Sequence, residues 1–147
     1  AEVVEEPRRG YGGAVQAGGQ ISASSKGGAG GNVAIGGSSV AVDAGARILA
    51  SGASAGGSIE IGGSLHGGDL PLATTTTVGA GALLNASATV KGNGGRIQVV
   101  SDVSNAASTT VVSGTLVANG GPQGGEGGKF ATSGSTLDTT GIAIQAT

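Results

Sequence analysis

Neither cysteine, methionine nor tryptophan occurs in this 147-residue chain, and Tyr11 and Phe130 are its only aromatic side chains. Without cysteine there is no disulfide framework. Without buried aromatics a β-sandwich of the immunoglobulin kind has no core to build on. Charge is sparse as well, at 11% of residues with a formal net of −2, and the only adjacent basic pair is Arg8-Arg9. A nucleic-acid partner needs a concentrated positive field, so none is expected. No apolar run approaches the ~20 residues of a helical membrane span, so membrane insertion is not expected either.

What the chain does have is glycine, 33 residues of it, roughly three times the ~7% usual in proteins. So much glycine, serine and threonine raises the question of disorder. A hydrophobic content of 37% argues against it, and regular spacing argues more strongly. Alanine, valine, isoleucine and leucine must form whatever core exists. Small, mostly β-branched side chains cannot fill a wide interior, but they can fill a narrow one made of stacked, similar layers.

Two anchors recur together five times. The first is a glycine pair, one residue of any kind, then an apolar residue: Gly12-Gly13-Ala14-Val15, Gly30-Gly31-Asn32-Val33, Gly56-Gly57-Ser58-Ile59, Gly94-Gly95-Arg96-Ile97 and Gly127-Gly128-Lys129-Phe130. The second is an apolar residue, one of any kind, alanine, then a small polar residue. Its copies are Ile21-Ser22-Ala23-Ser24, Ile48-Leu49-Ala50-Ser51, Leu84-Asn85-Ala86-Ser87, Leu116-Val117-Ala118-Asn119 and Ile144-Gln145-Ala146-Thr147. From their starts at 21, 48, 84, 116 and 144, the second anchors lie 27, 36, 32 and 28 residues apart.

Within each anchor the apolar positions alternate with period two, as in a strand with one buried face. The expected inward columns are Val15, Val33, Ile59, Ile97, Phe130 and Ala17, Ile35, Ile61, Val99, Thr132, while Glu60 and Gln98 point to solvent. A third strand is expected at Val40-Ala41-Val42, Thr76-Thr77-Val78 and Thr110-Val111-Val112. Repeats of about 30 residues, with two or three short strands each and no helical periodicity, predict a right-handed parallel β-helix (β-solenoid) of about five coils. Strands then pair with their counterparts one coil away, at ~4.8 Å. Glycines mark the corners, where the backbone turns or approaches another segment closely. The longest corner runs from Ser64 to Ala73, where Pro71 stops pairing. Residues 1–11 read as an N-terminal arm and 12–147 as one solenoid domain.

The stretches Gly56-Gly57-Ser58-Ile59-Glu60-Ile61-Gly62-Gly63, Gly92-Asn93-Gly94-Gly95-Arg96-Ile97-Gln98-Val99 and Gly120 to Gly134 resemble the glycine-rich repeats of filamentous-haemagglutinin-like exoproteins. These are large adhesins exported by bacterial two-partner secretion. The resemblance implies a right-handed β-helix without cysteine, secretion across the outer membrane, and a role in adhesion or biofilm. Members are commonly much longer and begin with a distinct secretion domain, to which no part of this chain shows a resemblance.

Catalytic constellations are hard to assemble. The acids Asp43, Glu60, Asp69, Asp102, Glu126 and Asp138 fall in different repeats and phases, so the paired carboxylates of a polysaccharide-cleaving β-helix are not expected. His66 with Asp69 is too few for a metal, and Gly124-Gly125-Glu126-Gly127-Gly128 lacks the repetition of calcium-binding nonapeptides. The threonines at 74–77, 109–110 and 139–140 miss two coils, so an ice-binding face is not expected. Asn85-Ala86-Ser87 matches a glycosylation sequon but is also the ordinary second anchor of its coil. Thus no enzyme and no cofactor are expected.

The expected role is a secreted structural subunit of an extracellular, adhesive filament or matrix, assembled head to tail with itself. A passenger segment of a large two-partner-secreted adhesin is the alternative. A host or neighbouring cell surface, or a polysaccharide, is the further partner expected. The assembly interface is expected at Val3, Val4, Glu5, Arg8, Arg9, Tyr11, Ile144, Ala146 and Thr147. The start at Ala1, with neither a methionine nor a signal peptide, suits a processed, exported chain, and equally a piece of a longer one.

Overall fold

Each run of alternating β-branched residues is only three to five residues long, enough to cross one side of a narrow coil before glycine turns the chain. The computed structural model describes residues 2–5, 14–36, 39–62, 73–102, 106–139 and 141–147. The first coil comprises β1 (Glu2–Glu5), β2 (Ala14–Ala17) and β3 (Gln20–Ser22), and the second β4 (Asn32–Ile35), β5 (Ser39–Val42) and β6 (Arg47–Leu49). The third holds β7 (Ser58–Ile61), β8 (Thr75–Val78) and β9 (Leu83–Asn85). β10 (Arg96–Val100), β11 (Thr109–Val112) and β12 (Thr115–Val117) form the fourth, and β13 (Lys129–Ser133), β14 (Thr136–Asp138) and β15 (Ala143–Gln145) the fifth.

Like strands of successive coils pair in parallel to give three five-stranded sheets. Sheet A runs β1-β4-β7-β10-β13, sheet B β2-β5-β8-β11-β14, and sheet C β3-β6-β9-β12-β15. The molecule is a right-handed parallel β-helix of five coils, the hand that right-twisted strands favour in parallel crossovers.

The core is the set of ladders that this register produces. Sheet A contributes Val33, Ile59 and Ile97, with Phe130 partly buried at the end, and then Ile35, Ile61 and Val99. Sheet C stacks Ile48, Leu84 and Leu116 between Ile21 and Ile144. Sheet B stacks Val42, Val78 and Val112, as the third-strand pattern leads one to expect. Each fully buried aliphatic side chain contributes roughly 1.5–3 kcal/mol of transfer free energy.

Beside those valines the inward column of sheet B reads Val40, Thr76, Thr110. Both threonines are wholly buried, and their hydroxyls are used. Thr76 Oγ1 donates to the Val100 carbonyl at 2.7 Å. Thr110 Oγ1 lies 2.7 Å from both the Ser133 carbonyl and Ser101 Oγ, so it donates to the first and accepts from the second. These bonds reach carbonyls where the chain leaves sheet A: the Val100 carbonyl, and the Ser133 carbonyl, which also accepts the Ser101 N–H at 3.0 Å.

The two sequence anchors prove to be one device. In four coils the second glycine of the pair donates its N–H to the alanine carbonyl of the preceding second anchor: Gly31 to Ala23, Gly57 to Ala50 and Gly95 to Ala86 at 2.7 Å, and Gly128 to Ala118 at 2.6 Å. This bond closes the corner from sheet C to sheet A, whatever the length of loop between. Backbone there approaches so closely that a Cβ on Gly95 would run into the Gly57 carbonyl oxygen, with the Gly56 and Gly57 carbonyl carbons at 2.8 Å. At the corner from sheet B to sheet C the requirement is different. Gly45 and Gly81, at φ 84° and 88°, occupy the third position of turns closed by Ala46 N–H to Asp43 O and Ala82 N–H to Gly79 O. That is the place in a type II turn where only glycine sits without strain.

The small polar residue ending the second anchor also has a function in the stack. Ser24 Oγ accepts from the Ser51 N–H at 3.2 Å, Ser87 Oγ from Asn119 at 3.0 Å, and Asn119 Oδ1 from Thr147 at 3.1 Å.

Three expectations need correction. Val15 and Ala17 pair with Val40 and Val42 in sheet B, while sheet A begins with Val3 opposite Val33. Ala14-Val15 therefore stands in sheet B, although the sequence at 12–15 matches the first anchor. Gln98 holds its expected outward position beside Glu60 and Ala131, but it is only 7% exposed and does not face open solvent. Residues 2–5, read from sequence as part of an arm, form β1 and pair with β4 of the same chain.

Candidate functional site

Sixteen glycines lie between the last residue of sheet C and the first of sheet A, in the four corner loops at 23–31, 50–57, 86–95 and 118–128. Stacked coil on coil, they make one long glycine-rich edge of the solenoid. A shallow groove of ≈ 620 Å³ runs along it over the last three coils, floored by the glycine pairs at 56–57, 94–95 and 127–128. Its rim carries Ser58, Asn93, Arg96, Glu126 and Lys129. Asn93 Oδ1 accepts from the Glu126 N–H at 2.9 Å and ties two of the loops together.

The register brings charge together here. Ser58, Arg96 and Lys129 are neighbours on β7, β10 and β13, and both cations are exposed. Lys26 and Lys91 project from loops of the same edge and are exposed too. Among the described residues none of these four cations makes an ion pair. The sequence signal for this site is the unspecified residue of the first anchor, which is polar or charged in the last four copies. Its significance emerges only when the coils are stacked.

The residues expected at an assembly interface occupy both ends. Val3, Val4 and Glu5 lie in β1, at the first edge of sheet A. Ile144, Ala146 and Thr147 lie in or after β15, at the opposite edge of sheet C, and all three are exposed. The fold keeps the two groups four coils apart within one chain. Arg8, Arg9 and Tyr11 lie outside the described residues, as do Gly12-Gly13, His66, Asp69 and Pro71.

The described acids remain dispersed. Glu60 is on sheet A, Asp138 ends a strand of sheet B, Asp43 and Asp102 follow strands of sheets B and A, and Glu126 lies on the glycine edge. Among the described residues no three of histidine, cysteine, aspartate and glutamate cluster.

Fold and edge together define a parallel β-solenoid with three walls and one glycine-rich, cationic corner. No family model and no curated protein matches this chain. Among solved structures it is similar to the crystal structure of the HMW1 secretion domain from Haemophilus influenzae, with a TM-score of 0.75 and 28% sequence identity. The likeness covers 97% of this chain and 37% of that one, so the chain spans little more than a third of its neighbour's length. The finding supports a relationship to two-partner-secretion exoproteins, but not to the filamentous-haemagglutinin repeats in particular. It also overturns the expectation that no part of the chain resembles a secretion domain. That expectation rested on the repeat motifs alone, whereas the likeness is one of the whole fold.

Proposed function

We propose that this chain is the β-solenoid of a two-partner-secreted exoprotein and acts in that protein's secretion, placing it outside the cell or at its surface. One observation carries the reading: 97% of the chain superposes on part of a solved secretion domain at a TM-score of 0.75, with 28% identity. The chain binds and guides rather than catalyses, in keeping with the dispersal of its described carboxylates. A reporter fused after Thr147 and produced in a Gram-negative host tests this. With the dedicated outer-membrane partner present the reporter should reach the medium, and without it the reporter should stay in the cells. Retention of a folded fusion despite the partner would overturn the proposal.

We propose as a second reading a subunit of an adhesive filament or matrix that stacks on itself. Leu137 and Ile144, 45% and 51% exposed, continue the columns of the fully buried Thr110 and Leu116, so a further coil, whether of the same polypeptide or of a second copy, would cover them. Sedimentation separates the two readings. Mass growing with concentration supports stacking, and a monomer throughout removes it.

A further inference from the structure

The molecule as a whole is acidic, yet the glycine edge is not. Its corner loops and the strand residues directly after them carry four of the chain's seven cations, Lys26, Lys91, Arg96 and Lys129, and one of its nine acids, Glu126. The edge therefore holds a formal +3, against −2 for the entire chain. Such segregation focuses a positive potential along a single line.

Within that line Arg96 and Lys129 are register partners on adjacent strands, about 4.8 Å apart along the stack. Like charges directly opposite one another destabilise a sheet. Here no described carboxylate pairs with either of them. An anion seated between the two would relieve the repulsion and gain from both.

The surroundings select the kind of anion. The groove floor is bare glycine backbone and the rim adds Ser58 and Asn93, so what lies beside Arg96 and Lys129 is polar. Sugar hydroxyls suit such a surface. Stacked bases do not, because single-stranded nucleic acid is held on aromatic platforms, and Phe130, the one aromatic among the described residues, packs against the core. The groove is also open along the axis through three coils, so a linear ligand can follow it from one coil to the next.

We propose that the glycine edge is a binding site for an acidic polysaccharide, whose carboxylate or sulfate groups are held by Arg96 and Lys129 and whose sugar hydroxyls lie along the glycine floor. The site does not depend on the role in secretion, and its test reads binding alone.

The experiment is a titration of the purified chain at low salt with polygalacturonate, a sulfated glycosaminoglycan, neutral dextran and single-stranded DNA. The acidic polysaccharides should bind, at an affinity that falls as added salt screens the charges. A gain for one of the two identifies carboxylate or sulfate as the preferred group. R96Q/K129Q should weaken binding by roughly three- to tenfold, the effect of two exposed charge contacts. E126Q should strengthen it, and R47Q, on sheet C, should leave it unchanged. All of these positions are exposed, and unaltered circular dichroism confirms that the variants fold. No binding at low salt, equal binding by R96Q/K129Q, equal binding of dextran, or DNA bound as tightly as the polysaccharides would each overturn the proposal.

Discussion

Replacing Gly95 by alanine adds one methyl group at the tightest point of the corner between sheets C and A. The new Cβ would meet the Gly57 carbonyl oxygen, with the Gly56 and Gly57 carbonyl carbons at 2.8 Å. All three atoms are backbone, so no side chain can rotate away. To make room, the third and fourth coils must separate locally. The Gly57 oxygen also accepts from the Arg96 N–H at 3.0 Å, and Gly95 itself donates to Ala86 O at 2.7 Å. Losing those two bonds costs about 1 kcal/mol each, and the overpacking adds about 1–3 kcal/mol. The variant should therefore lose about 3–5 kcal/mol, a large part of the roughly 5–15 kcal/mol typical of a domain. Urea unfolding followed by circular dichroism measures the loss. Gly27→Ala is the matched control, because nothing lies within 4 Å of a Cβ there and its backbone is not left-handed. It should be neutral, or more stable by about 0.4–1 kcal/mol through the unfolded chain. Equal midpoints for the two variants would refute close backbone approach as the reason for the glycine pairs.

Two further substitutions probe the walls. Gln98→Asp places a shorter, charged group where the side chain is only 7% exposed and beside Glu60 on the next strand. It should lower stability by about 1–3 kcal/mol in urea unfolding, where a solvent-facing position would show almost none. Thr110→Val keeps the shape but removes the donor to Ser133 O and the acceptor for Ser101 Oγ. The Ser133 carbonyl keeps the Ser101 N–H, so a loss of about 1–2 kcal/mol is expected, and an unchanged midpoint would show that the Thr110 hydroxyl bonds add nothing to stability.

Much of the fold could be read from the chain because a solenoid writes its geometry as repetition. Ile21, Ile48, Leu84, Leu116 and Ile144 stand in register in sheet C, at the spacing of the second anchor. Four of the five glycine pairs mark the same corner. In the first coil Ile21 follows the second anchor, but the sheet A strand Glu2–Glu5 carries no apolar pattern of the first anchor, while the sequence Gly12-Gly13-Ala14-Val15 matches that anchor and its Ala14-Val15 lies in sheet B. Gln98 misled for a different reason. Alternation reports which way a residue points, but not what lies over the outer face. The cationic edge was hidden by the definition of the anchor itself. Arg96 and Lys129 occupy its variable position, and a separation of 33 positions in sequence conceals that they are neighbours in space.

The bonds from side chains of one coil to the backbone of another share an orientation. Ser24, Ser87, Asn93, Ser108 and Asn119 each accept from an N–H one coil further along the chain. Thr76 and Thr110 donate to carbonyls one coil further along. The two faces of a coil are therefore unlike. A segment laid against the C-terminal face meets hydroxyls and amides already held in position, and its own backbone groups are satisfied on arrival. A segment laid against the N-terminal face meets plain peptide and must bring and order the side chains itself. The solenoid thus has a grain, like wood: a chain that emerges N-terminus first always finds the prepared face beneath its next coil.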